Sequence, residues 1–196
     1  MRRFLFLASL VMTLVFLLAL AVQPVQAQEI EDPTGDPTVP FLEQWQESAH
    51  AAFDTEAFRH WDEDDPAEVS ASCAKCHSSP GYLDYLGADG TEANVVDNPA
   101  PIDTVIDCVA CHNDVTVVKD SVIMPSGIEL TGLGDESRCM ECHQGRQSTV
   151  SVNERIAGAG VEDDTVSEDL GFANIHYYPA AATKYGTLAK GGYEFE

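Results

Sequence analysis

The chain has 196 residues, with 33 Asp and Glu against 10 Lys and Arg, a formal net charge of −23 and 44% hydrophobic residues. Such an acidic surface repels phosphates and excludes nucleic acid as a partner. The length bounds the fold to about one domain once the N-terminal segment is set aside.

That segment opens with Arg2 and Arg3, continues as an apolar run from Phe4 to about Val22, and ends on Val25-Gln26-Ala27. This order reads as a signal peptide cleaved after Ala27, with an uncleaved membrane anchor as the alternative. Two of the basic residues and none of the acidic ones lie before residue 28, so cleavage moves the formal charge from −23 to −25. Residues 28–40, QEIEDPTGDPTVP, read as a flexible acidic leader, and residues 41–196 as the functional domain. No other segment is long and apolar enough to span a bilayer.

His50 comes first within that domain. Asp54 is positioned to cap a short helix, Thr55 to Trp61, that carries His60 near its end. Cys73-Ala74-Lys75-Cys76-His77 follows, then a helix from Pro80 to Leu86 stopped by Gly87. Residues 88–107 read as loop and lead into Cys108-Val109-Ala110-Cys111-His112. The β-branched run Val115–Val118 and the segments flanking Pro125-Ser126-Gly127 suggest a small β-hairpin. Asp135 is positioned to cap a helix holding Cys139-Met140-Glu141-Cys142-His143 and ending near Gly145, and Ser148 to cap the next, running to about Ala157. An acidic loop over 158–170, His176, and a last short helix from Pro179 to Tyr185 before Gly186 complete the pattern. The expected fold is mainly α with much coil and a small β-hairpin.

The three Cys-x-x-Cys-His motifs use all six Cys and three of the six His. This spacing is that of covalent haem c attachment: Cys73 and Cys76, Cys108 and Cys111, and Cys139 and Cys142 add to the porphyrin vinyl groups, and His77, His112 and His143 bind the iron. A zinc site has no use for a His after every second Cys, and a Cys pair two residues apart closes a strained disulfide ring. Three haems require three further ligands, and His50, His60 and His176 match that number. Met124, in an apolar hairpin, reads as core packing. Lys75, Arg138 and Arg146 flank the motifs as propionate partners or as plain solvent-facing charges.

Over roughly residues 42–196 the chain resembles the multihaem c-type cytochromes of bacterial and archaeal respiration. The resemblance rests on Ala71-Ser72-Cys73-Ala74-Lys75-Cys76-His77, on Arg138-Cys139-Met140-Glu141-Cys142-His143-Gln144-Gly145-Arg146, and on Asn174-Ile175-His176-Tyr177-Tyr178. It implies closely packed haems with paired His ligation, a haem-filled core with few regular elements, and electron exchange with redox partner proteins, other multihaem cytochromes among them. It also implies a short or truncated member of the family, because larger relatives carry further motifs beyond a stretch like Gly191–Glu196. The function expected is that of an exported, periplasmic or extracellular electron carrier with no catalytic residue. One open iron would instead suit a reductase of a nitrogen or sulfur oxyanion. A His donated between subunits would suit an extracellular filament, with His50 as the expected donor.

Overall fold

The computed structural model describes residues 39–191. The expected signal segment and the leader up to residue 38 lie outside the described residues. The chain divides into two units, Met1–Leu42 and Glu43–Glu196. The second carries every motif.

Eight short helices and two two-residue ribbons make up the regular structure among the described residues: α1 (Leu42–Gln46), α2 (Glu56–Arg59), β1 (Glu68–Val69), α3 (Ala71–His77), α4 (Ser79–Leu86), β2 (Ala100–Pro101), α5 (Cys108–Cys111), β3 (Val122–Ile123), β4 (Glu129–Leu130), α6 (Glu136–His143), α7 (Thr149–Ala159) and α8 (Ala180–Ala189). The architecture is mainly α with much coil, as the sequence pattern implies. β1 and β2 pair antiparallel with Val69 opposite Ala100, and β3 and β4 with Val122 opposite Leu130. Each motif lies on its own helix: the first on α3, the second on the single turn α5, the third on α6.

Local chemistry explains most boundaries. The Ser78 hydroxyl accepts from the Gly81 amide at 2.9 Å and starts α4, and Gly87 ends it in the left-handed conformation. Ser148 and Ser151 form a reciprocal capping box at the start of α7. Three expectations are corrected. Thr55, not Asp54, precedes α2. Asp135 pairs with the Arg138 guanidinium and makes no side-chain cap on α6. The last helix does not stop at Gly186: the chain kinks there and continues to Ala189.

A fourth correction concerns Val115–Val118, which form a turn and not a strand. The Asn113 side-chain oxygen accepts from the amides of Val115 at 3.0 Å and Thr116 at 2.9 Å. The buried Thr116 hydroxyl then donates to the Cys111 carbonyl at 2.8 Å. These local bonds override the β-branched preference and fold the chain back on the second motif. The hairpin itself is the shorter β3–β4 ribbon, closed by the Met124 amide on the Ile128 carbonyl at 2.8 Å.

The buried apolar residues form three small clusters, each holding an inner residue of one motif. Ala74 packs with Trp61, Val69 and Ala100. Ala110 packs with Tyr82 and Leu86. Met140 packs with Val122, Met124, Ala181 and Ala189. α3 and α4 approach so closely that a Cβ on Gly81 would lie 2.5 Å from the Ala74 carbonyl carbon and oxygen. Backbone cannot yield as a flexible side chain does, so Gly81→Ala is expected to lower stability by about 1–3 kcal/mol. Urea unfolding of the purified protein measures it, and an unchanged midpoint would show that the two helices can part.

Candidate functional site

A buried ion cluster draws the three motifs together. Glu141, inside the third motif, is 2% exposed. Its two oxygens meet Lys75 of the first motif at 2.7 Å and Lys119, beyond the second, at 2.8 Å. Gln144 adds a bond to Glu141 Oε2 at 3.2 Å. Burial acts to lower the Lys75 pKa, but the charge and hydrogen bond of Glu141 outweigh it, and the ammonium is held above its ordinary value. Lys75 Nζ also lies 3.9 Å over the Tyr85 ring.

Four imidazoles meet in two pairs. The ring centroids of His77 and His176 are 5.8 Å apart with planes at 77°, and those of His50 and His143 are 6.1 Å apart at 71°. With metal–nitrogen bonds of about 2 Å and each centroid about 1 Å behind its nitrogen, two rings facing one metal atom lie about 6 Å apart. The outer nitrogens are anchored. His77 Nδ1 is 2.8 Å from the Ala57 carbonyl and His143 Nδ1 is 3.1 Å from that of Tyr178. A carbonyl only accepts, so Nδ1 carries the proton and Nε2 presents its lone pair. Burial lowers the pKa of His50, with His143 adding to it, and lowers that of His176, with Arg146 adding to it. Burial also lowers the His77 pKa despite the bond to Ala57. All three rings are therefore predominantly neutral at pH 7, the form that binds metal.

Two segments deliver the outer members of these pairs. The Ile106 amide donates to the His50 carbonyl at 3.1 Å, and Trp45 Nε1 donates to the Ile106 carbonyl at 2.9 Å. This clamp seats His50 against the approach to the second motif. His176 sits on a strap, residues 174–179. The Arg146 amide donates to the Ile175 carbonyl at 3.0 Å, and the Asn174 side chain accepts from the His176 amide at 2.8 Å. Gly145, at φ +81°, allows the approach: a Cβ there would lie 3.0 Å from Ile175 Cγ1 and 3.1 Å from its carbonyl oxygen.

The structure does not bring His60 to His112. The His60 ring packs edge-on against Trp61 at 5.1 Å, and Trp61 against His77 at 5.3 Å. His60 Nδ1 is 2.7 Å from the Glu56 carboxylate. His112 caps α5 and is exposed, and its ring has no ring contact or hydrogen bond among the described residues. No disulfide joins the six Cys. Cys108 and Cys139 are exposed, and the other four are partly buried. Cys76 beside it and burial push the Cys142 thiol up, and Cys142 Sγ donates to the Lys75 carbonyl at 3.5 Å, so the third motif touches the first. Met124 is 2% exposed within its cluster. Of the flanking cations, Lys75 serves Glu141, while Arg138 bonds Asp135 and the Cys111 carbonyl.

A cavity of about 700 Å³ opens beside the first motif, lined by Cys73, Cys76, His77, Trp61, Arg146 and His176. Its volume lies within the range of cofactor sites, about 300–1,000 Å³. Two thiols, an imidazole on each side, a Trp wall and a guanidinium fit a haem with its propionates. Glu141, Lys119, Asn113 and Gly145 escaped the sequence reading of the site. The opposite charges of Lys75 and Glu141 at inner motif positions were the available signal.

Such a site fits covalently held haem of the c type. Residues 56–144, somewhat less than half of the chain, match the model of the family described as cytochrome c7 and related cytochrome c. The match spans all three Cys-x-x-Cys-His motifs and supports a multihaem c-type cytochrome, a family whose members carry covalently bound haem c and transfer electrons. No curated protein and no solved structure matches the chain. Glu141→Gln leaves two ammoniums facing a neutral amide in a buried site and is expected to cost about 3 kcal/mol. Adding Lys119→Met should recover part of that loss in the same unfolding measurement. Strict additivity of the two substitutions would refute the coupling.

Proposed function

We propose that the protein is an exported carrier that moves electrons between redox partner proteins through three haem c groups, in the periplasm or outside the cell. Cys73, Cys76 and His77 hold the first haem, with His176 as its second iron ligand. Cys139, Cys142 and His143 hold the third, with His50 opposite. Cys108, Cys111 and His112 hold the second, and His60 is the imidazole remaining for it. The observation that carries this reading is the pair of imidazole–imidazole separations near 6 Å, 5.8 and 6.1 Å.

Haem held by two imidazoles gains and loses an electron at low potential, because imidazole stabilises ferric iron better than a thioether does. The chain's part is to orient the imidazoles through the Ala57 and Tyr178 carbonyls and to wall the first haem with Trp61. Arg146 lines the first cavity without an ion-pair or side-chain hydrogen-bond partner among the described residues, which suits it to a propionate. The short, separate apolar clusters also favour porphyrin as filling for the core. Export is supported by the basic, apolar and small-residue order before residue 28. Among the described residues no helix is long and apolar enough to cross a membrane.

Three haems per chain should survive acid–acetone extraction, read by mass spectrometry of the mature protein. His176→Ala and His50→Ala should each open one further iron to carbon monoxide after reduction. If neither does, the pairing is wrong. The ring planes cross at 77° and 71°. Near-perpendicular imidazoles donate about equally to two iron d orbitals, so two of the ferric haems should give highly anisotropic low-spin resonance signals. Only rhombic signals of the parallel-ring kind would count against this geometry.

A further inference from the structure

The strap at 174–179 touches two motifs at once. His176 faces His77 of the first motif, with ring centroids 5.8 Å apart. Two residues on, the Tyr178 carbonyl lies 3.1 Å from His143 Nδ1 of the third motif. The same carbonyl accepts from the Ala180 amide at 2.8 Å, where α8 begins. α8 in turn packs on the third motif, with Ala181 and Ala189 in the cluster of Met140. One end of the strap is thus fixed beside the third motif, and its middle reaches the first.

The backbone between these points is strained. His176 has φ +76° and Tyr178 has φ +53°. In this left-handed region the Cβ of an ordinary residue crowds the following carbonyl oxygen, and neither residue is Gly or Asn. Two such residues within three persist only where their surroundings hold them. The Arg146 amide anchors the Ile175 carbonyl at 3.0 Å, and the Asn174 side chain accepts from the His176 amide at 2.8 Å. The Tyr177 and Tyr178 side chains are 76% and 81% exposed, so their burial adds little. A bond from His176 to the first iron supplies a further hold.

We propose that the strap couples ligation at the first haem to the reduction potential of the third. The inference rests on the ligand pairing proposed above. By accepting the Nδ1 proton of His143, the Tyr178 carbonyl makes that imidazole a stronger donor. Stronger donation stabilises ferric iron and lowers its potential. When His176 is released, Tyr178 relaxes out of the left-handed region and its carbonyl turns away from His143. The third haem then becomes easier to reduce. Linkage makes the effect reciprocal, so an electron on the third haem loosens the His176 ligand by the same factor. Asn174 is a positioning residue here, because it acts through His176.

The test uses the haem-loaded protein and follows a potentiometric titration by NMR, which reads each haem separately. His176→Ala should open one iron to carbon monoxide after reduction. It should also shift the third haem's equilibrium about tenfold toward the reduced form, about 59 mV for one electron. The sign separates this coupling from plain repulsion between haems. Losing an imidazole raises the first haem's own potential, so that haem is reduced earlier and its added negative charge makes the third harder to reduce. Repulsion alone therefore lowers the third potential, whereas the strap raises it. The His143 Nδ1 proton should exchange with solvent faster than in the parent. Asn174→Ala keeps both imidazoles, and Asn174 is exposed, so the fold is kept. This variant should raise the third potential by a smaller factor. Asn174→Ser, whose hydroxyl accepts the same bond more weakly, should recover part of the change. A third potential that falls or stays fixed in His176→Ala, with one iron opened, would overturn the coupling alone. No iron opened would overturn it together with the ligand pairing. If His176→Ala does not mature, an unchanged third potential in Asn174→Ala overturns the coupling by itself.

Discussion

The placement of the motifs depends on one buried carboxylate. Glu141 sits between the two Cys of the third motif, so its position is fixed relative to the groups that take up haem. Lys75 occupies an inner position of the first motif, and Lys119 follows the turn that closes on the second. Removing three charges from water is costly and is tolerated only when each finds a partner. Here both Glu141 oxygens are occupied, by Lys119 at 2.8 Å and Lys75 at 2.7 Å. These contacts tie the third motif to the first and to the segment after the second, an arrangement that a small apolar core alone would specify poorly.

This use of cations shapes the outer surface too. The chain has only 10 Lys and Arg, and two of them turn inward to a single carboxylate. Arg138 is bound to Asp135 and Lys184 to Glu136. The surface left to meet other proteins is therefore more uniformly acidic than the sequence count conveys. A basic docking face on a partner would be attracted over a Debye length, and the encounter rate would fall as salt rises.

Features set by near neighbours were legible in the sequence. The haem motifs are contiguous, Ser148 finds its capping partner three residues on, and Gly87 stops a helix whose last turn adjoins it. Val115–Val118 misled because β-branching is a weak preference and Asn113 offered the backbone a stronger local bond. What the sequence hid was convergence. Nothing in the order of residues tells Glu141 which lysines it will meet. Six imidazoles can be paired in many ways. His50 and His176, the outer members of the two observed pairs, both lie outside residues 56–144, the span of the family match. His60 lies inside that span but faces Trp61, so counting spare His could not assign each to a partner ring.

The two imidazole pairs also interleave. His50 joins His143 while His77 joins His176, so each pair spans a loop that contains a member of the other. The strap at 174–179 binds them further, since it carries His176 and supplies the Tyr178 carbonyl behind His143. Neither loop can close before most of the chain has been made. Contacts of such long sequence separation slow folding, because the entropy of closing each loop is lost before any contact repays it. The final fold is thus reached late, once the segments that carry His143 and His176 are both in place.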